Sequence, residues 1–121
     1  MAEHNETGKE GEELAAKFLE QKGYRILETN WRFKNLEADI IAMQKNILVI
    51  VEVKTRKTNH FGEPEEFVDK KKQKNIIKAA NAYIESKEIE NEVRFDIVSV
   101  LVKGEQQAVI NHIEDAFYPT L

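Results

Sequence analysis

Residues 47–54, ILVIVEVK, form a run of aliphatic residues with an acid, Glu52, inside it and a lysine, Lys54, at its end. A strand this hydrophobic does not tolerate an unpaired internal acid, so whatever lies beside Glu52 must compensate its charge. The flanking segments read as strands too: Tyr24 to Phe33 and Leu36 to Met43, separated by the polar breaks Lys34-Asn35 and Gln44-Lys45-Asn46. These three segments predict a meander. Ahead of it, Gly11, Leu14, Ala15, Phe18 and Leu19 recur at helical spacing and Gly23 follows as a stop, which predicts a helix over 8–22. Behind it, Ile76, Ile77, Ala80, Tyr83 and Ile84 predict a second helix from about Asp69, a suitable cap, to Ser86. Val93 to Val102 is a strongly apolar strand and Ala108 to Ile113 a weaker one, while the tail carries no clear pattern. The order αβββαββ belongs to the α/β class and predicts a mixed central sheet flanked by helices, with the second helix long enough to cross between strands.

A chain of 121 residues suits one domain spanning 1–121. No apolar run approaches the length of a bilayer span, and the opening MAEHNETGKEGEE is acidic where a secretory signal needs basic and then apolar residues. With no cysteine, disulfides, thiolate metal sites and cysteine nucleophiles are excluded, and the expected location is cytoplasmic. The net charge of −4 argues at first against a polyanionic partner. Its distribution argues otherwise: residues 1–20 hold six acids and two bases, whereas 54–78 hold eight bases and four acids. A basic stretch of that kind permits nucleic-acid binding, and a merely solvated surface is the competing explanation.

The chemistry concentrates in the second and third strands. By period-2 alternation Glu37 and Asp39 share a face with Ile41, while Glu52 and Lys54 share one with Leu48 and Ile50. A symmetric turn between Lys45 and Asn46 sets Asp39 opposite Glu52 and Glu37 opposite Lys54, with Cβ atoms about 5 Å apart across each pair. Two carboxylates so placed repel, and a cation between them resolves the repulsion. Magnesium commonly takes one or two carboxylates and keeps positions for water and substrate phosphate; manganese can substitute. At a phosphodiester such an ion activates water and neutralises developing charge, with Lys54 adding positive charge from a rigid strand. The competing arrangement is structural: a Glu37–Lys54 salt bridge, with Asp39 and Glu52 facing solvent.

The pattern of Asp39 with Glu52-x-Lys54 thirteen positions on resembles the signature of the restriction-endonuclease-like nucleases. More of the chain carries a likeness: GEELAAKFLEQKGY at 11–24, EADIIA at 37–42, VIVEVKTR at 49–56, KQ at 72–73, RFDIV at 94–98 and EDAF at 114–117. On these segments the sequence resembles the YraN-like family of uncharacterised bacterial proteins, predicted endonucleases related to archaeal Holliday junction resolvases. The resemblance implies a restriction-endonuclease-like αβββαβ core and a Mg²⁺- or Mn²⁺-dependent endonuclease acting on DNA, branched DNA included. It maps Glu12, Glu37, Asp39, Glu52 and Lys54 onto the family's predicted site, with Asp39 and Glu52 as metal ligands. Where the family commonly has glycine before the glutamate, this chain has Leu36.

Around that site, Glu12 lies at the margin of the first helix's apolar face and can look toward the sheet or cap the helix. Lys72 and Gln73 extend the inward stripe of the second helix toward its N-terminus and, with Arg56, are candidate phosphate contacts; a solvated basic face is the alternative. Asp96 reads as a structural partner of Arg94. Trp31 and Phe33 read as core or subunit interface before base-stacking residues. His4, His60 and His112 show no ligand spacing, and His60 alone lies in the loop after Lys54. Two readings stay open, a metal-dependent endonuclease and a nucleic-acid-binding module of the same fold without turnover; a salt-bridged interaction protein is a third. A two-fold dimer would suit a resolvase-like enzyme facing symmetric strands.

Overall fold

A computed structural model describes residues 6–57, 68–104 and 107–119. The elements run α1 (Glu6–Gln21), β1 (Arg25–Phe33), β2 (Leu36–Gln44), β3 (Ile47–Arg56), α2 (Lys70–Lys87), β4 (Glu92–Gly104) and β5 (Gln107–Phe117). Every expected element is present, and most boundaries fall within two residues of those read from the sequence.

The strands form one mixed sheet in the order β1-β2-β3-β4-β5. Antiparallel neighbours β1, β2 and β3 are joined by two-residue turns that Lys34 and Lys45 open with φ of 58° and 53°. β3 and β4 pair in parallel from Ile47–Glu92 to Arg56–Leu101, so the chain must cross over the sheet between them, and α2 lies on that crossover.

The two helices cover opposite faces, which explains the near-continuous apolar run of β3. Leu48 and Ile50 enter the core beneath α2 with Ile76, Ala79, Ala80 and Tyr83. Val49, Val51 and Val53 enter the core beneath α1 with Ala15, Leu19 and Tyr24. α1 stops at Gly23, whose φ of 95° lets Tyr24 N–H reach the Leu19 carbonyl at 3.0 Å. α2 starts at Asp69, whose side chain accepts the Lys72 N–H at 2.9 Å. Trp31 packs edge-on against Tyr83 of α2 at the margin of that core and stacks on Phe33, which stays exposed.

β5 runs four residues past the segment legible in the sequence. Ile113 pairs with Ile97 and Phe117 with Phe95, leaving extra residues on β5 around Asp115, which has φ of 55°. A bulge interrupts the alternation on which strand recognition depends, so the tail showed no pattern even though Phe117 is buried against Phe95.

Candidate functional site

The ladder between β2 and β3 runs from Gln44–Ile47 to Ile40–Val51 and stops there. Asp39 therefore does not sit directly opposite Glu52, nor Glu37 opposite Lys54, as uninterrupted turn symmetry had set them. Instead Asp39 Oδ2 accepts the Val53 backbone N–H at 2.9 Å, taking over a donor that the ladder no longer satisfies.

The cause lies one strand away. β1 and β2 pair at Thr29–Ile40 and Trp31–Ala38, but the ladder passes over Asn30 and Asp39, and Asn30 adopts φ of 51°. Asparagine tolerates this left-handed conformation better than most residues. The kink shifts the alternation by one: Ala38 and Ile41 both join the α2-side core, while Ile40 joins the α1-side core. Asp39 falls at this break in alternation, although the β1–β2 register is the same on either side of it.

On β3 the alternation holds. Glu52 and Lys54 follow Leu48 and Ile50 onto the α2 face, and Glu52 keeps only 5% of its side-chain surface. Lys54 Nζ lies 3.7 Å from Glu52 Oε2, and Lys72 Nζ, reaching from the first turn of α2, lies 2.9 Å from the same oxygen. Burial raises the pKa of Asp39 well above the usual carboxylate range; the charge of Glu52 raises it further, the Val53 N–H opposes this, and Glu12 adds to it. Burial lowers the Lys54 ammonium, against the opposing pull of Glu52. Burial also acts to lower Lys72, but its contact with Glu52 outweighs this and raises it.

Glu12 reaches this end of the sheet because Gly11 lets α1 approach closely. A Cβ on Gly11 would lie 1.9 Å from Thr55 Oγ1. Glu12 and Glu37 line a surface cleft of about 360 Å³ with Lys9, Asn30 and Arg32, and Arg32 Nη2 lies 3.7 Å from Glu37 Oε2. Glu37 is thus paired with Arg32, not with Lys54. Arg56 ends β3, partly buried, in register with Leu101 of β4. Gln73 Nε2 donates to the Val68 carbonyl at 2.9 Å, which fastens the start of α2. His60 lies outside the described residues.

Asp39 and Glu52 thus form an acidic pair at one opening, with Lys54 and Lys72 beside Glu52. No three carboxylates or imidazoles among the described residues converge on one point. Two carboxylates are the usual protein share of a magnesium or manganese shell that water and phosphate oxygens complete, and Asp39 and Glu52 are of that donor type. Lys72 was read from sequence as a backbone contact; here it also compensates Glu52. Its place four residues before Ile76 on the inward stripe was the signal.

Sequence reasoning gave His112 no role. Its Nε2 lies 2.7 Å from Asp96 Oδ2 and its Nδ1 lies 2.7 Å from Lys22 Nζ. Lysine only donates, so Nδ1 accepts and Nε2 carries the hydrogen that Asp96 receives. Asp96, fully buried, also accepts Arg94 Nε and Nη2, each at 2.9 Å, and the Asp115 N–H at 3.0 Å. The expected structural Arg94–Asp96 pair is present. Period-2 spacing of Ala108, Ile110 and His112 could have placed the histidine inside.

No helix among the described residues is long and apolar enough to cross a membrane. A family model described as "Uncharacterised protein family UPF0102" matches residues 11–100. A UPF0102 protein of Flavobacterium psychrophilum is 53% identical over 118 residues, covering 98% of each chain. One from Flavobacterium johnsoniae is 56% identical over 122 residues with the same coverage. A third, from Bacteroides thetaiotaomicron, is 51% identical and covers 100% of this chain and 99% of its own. Because the match is continuous through both strands of the opening and both helices that reach it, the chain belongs to the uncharacterised, YraN-like UPF0102 family.

Proposed function

We propose that this protein is a metal-dependent endonuclease that hydrolyses phosphodiester bonds in DNA. The observation that carries the reading is the β2–β3 opening, where Asp39, fixed by the Val53 N–H, lies beside the buried Glu52 with Lys54 3.7 Å from the Glu52 carboxylate. Asp39 and Glu52 would hold Mg²⁺ or Mn²⁺. When bound there, the ion supplies Lewis acidity toward water and a phosphate oxygen. The chain's own residues do the rest. Lys54, on a strand buried on both faces, holds its ammonium in fixed relation to the carboxylates and offers it to charge developing on the transition-state oxygens. Lys72, on a flexible stem 2.9 Å from Glu52, would be free to contact substrate phosphate once that acid had another cation. Glu12 and Glu37, on the α1 side, would orient water, and Arg56, two residues beyond Lys54 on β3, would contact phosphate.

A second reading, a nucleic-acid-binding module without turnover, is favoured by one observation: two lysines already compensate Glu52. One assay separates the two. Branched, single-stranded and duplex DNA are incubated with the protein, with and without Mg²⁺ or Mn²⁺, alongside Asp39→Ala and Lys54→Ala. Cleavage that needs metal and disappears in both variants is the expected result. Binding without cleavage supports the module. Neither activity, together with thermal stability unchanged by metal, sinks both and leaves a structural ion-pair network.

A further inference from the structure

A groove of about 430 Å³ runs between α2 and the end of β5. One wall carries Lys70, Lys74 and Lys78. Spaced four residues apart on a helix, they form a positive row about 12 Å long. None of the three takes part in an ion pair among the described residues, so their charge faces outward uncompensated. The other wall carries Phe117 and Tyr118. Phe117 is buried and stacked on Phe95 at 5.2 Å, which anchors this wall to the sheet. Tyr118, the next residue, leaves 67% of its surface exposed.

We infer that this groove binds an unpaired segment of nucleic acid, with Lys70, Lys74 and Lys78 along the backbone and a base stacked on Tyr118. A row of ammonium groups facing an exposed aromatic ring fits a chain that presents phosphates on one side and planar bases on the other. In a duplex the base faces are stacked on one another, so the ring selects a strand whose bases are free. Lys72, which contacts Glu52, lies two residues from both Lys70 and Lys74 and so projects from the opposite side of α2, away from the groove. The inference rests on the endonuclease reading and deepens it, since a strand held here belongs to a substrate with a single-stranded stretch.

The test is fluorescence anisotropy in EDTA, where binding is read without cleavage, using labelled oligodeoxyuridylate, oligouridylate and a duplex of equal length. Single strands bind more tightly than duplex; Tyr118→Ala weakens that binding roughly tenfold, and Tyr118→Phe restores it. In Lys74→Ala/Lys78→Ala the slope of log affinity against log salt falls by about 0.7 per lysine removed. Comparing the two oligonucleotides identifies the sugar the groove accepts. Single-strand affinity that these substitutions leave unchanged overturns the inference, as does a preference for duplex. So does a dimer in sedimentation velocity that Tyr118→Ala dissolves, which makes the groove a contact between two copies. If the groove binds as described but no metal yields cleavage, the endonuclease reading falls and the groove stands. If metal-dependent cleavage persists while Tyr118→Ala binds normally, the reverse holds.

Discussion

At Gly11 the absence of one methyl group decides where a helix can lie. An added Cβ would meet Thr55 Oγ1 at 1.9 Å, Cγ2 at 2.6 Å and Cβ at 2.8 Å. A threonine on a paired strand cannot yield far, so α1 would have to lift away from β3. Overpacking of this kind costs about 1–3 kcal/mol. Gly11→Ala should therefore lower the denaturation midpoint in urea, and Gly11→Ala/Thr55→Ala should recover part of the loss, because it removes the two closest contacts. A Gly11→Ala protein as stable as the parent would show that α1 does not seat on Thr55. The sequence placed Gly11 on the apolar stripe of the helix but could not say why it is glycine, because the reason sits 44 positions further on.

Among the elements, β4, β5 and the connection between α1 and β1 are held together through one buried acid. Asp96 accepts from Arg94, His112 and the Asp115 backbone, Arg94 also reaches the Tyr24 hydroxyl at 2.7 Å, and Lys22 closes the circuit on His112. Burial acts to raise the pKa of Asp96, but hydrogen bonds from His112, Arg94 and Asp115 outweigh it and hold the carboxyl below its ordinary value. A depressed folded-state pKa means that the carboxylate contributes stability above its unfolded value of about 3.9, and that this contribution fades as pH falls through the folded value. Asp96→Asn should destabilise by several kcal/mol near neutral pH, where it leaves Arg94 with only the half-exposed Glu114 at 3.7 Å. The gap between variant and parent should narrow as pH drops below about 4. Urea denaturation at a series of pH values checks this, and a gap that stays constant into acid would contradict it. The Arg94–Asp96 pair was legible because its residues alternate on one strand. The histidine was not, because its partners lie on β4 and α1.

Across the whole molecule, the acidic beginning of the chain and the basic stretch after β3 are carried to opposite faces of the sheet by α1 and α2, and both return at the same end. Glu12 adds negative charge near Asp39 from one side, and Lys72 places its ammonium on Glu52 from the other. Lys72 and a divalent ion therefore compete for Glu52. Lys72→Met should lower the melting temperature in EDTA, since it leaves a buried acid with Lys54 alone, and should enlarge the upward shift that Mg²⁺ or Mn²⁺ produces. An unchanged metal response in the variant would remove Glu52 from the proposed ligand set.

The order of elements, the meander, the crossover helix and the residues gathered at the candidate site follow from periodicity and turn chemistry. Those are local properties, written within a few residues of each other. The three-residue pattern Asp39, Glu52, Lys54 was equally visible, since two adjacent strands bring it together in any fold that pairs them. What the tertiary structure alone decided is how these groups meet. The kink at Asn30 opens the ladder, turns Asp39 onto the Val53 N–H and gives Glu37 to Arg32, while packing of α2 delivers Lys72 to Glu52. Each depends on how separate elements bear on one another, and a one-residue break in alternation reverses which face a side chain occupies, which no local alternation can foretell.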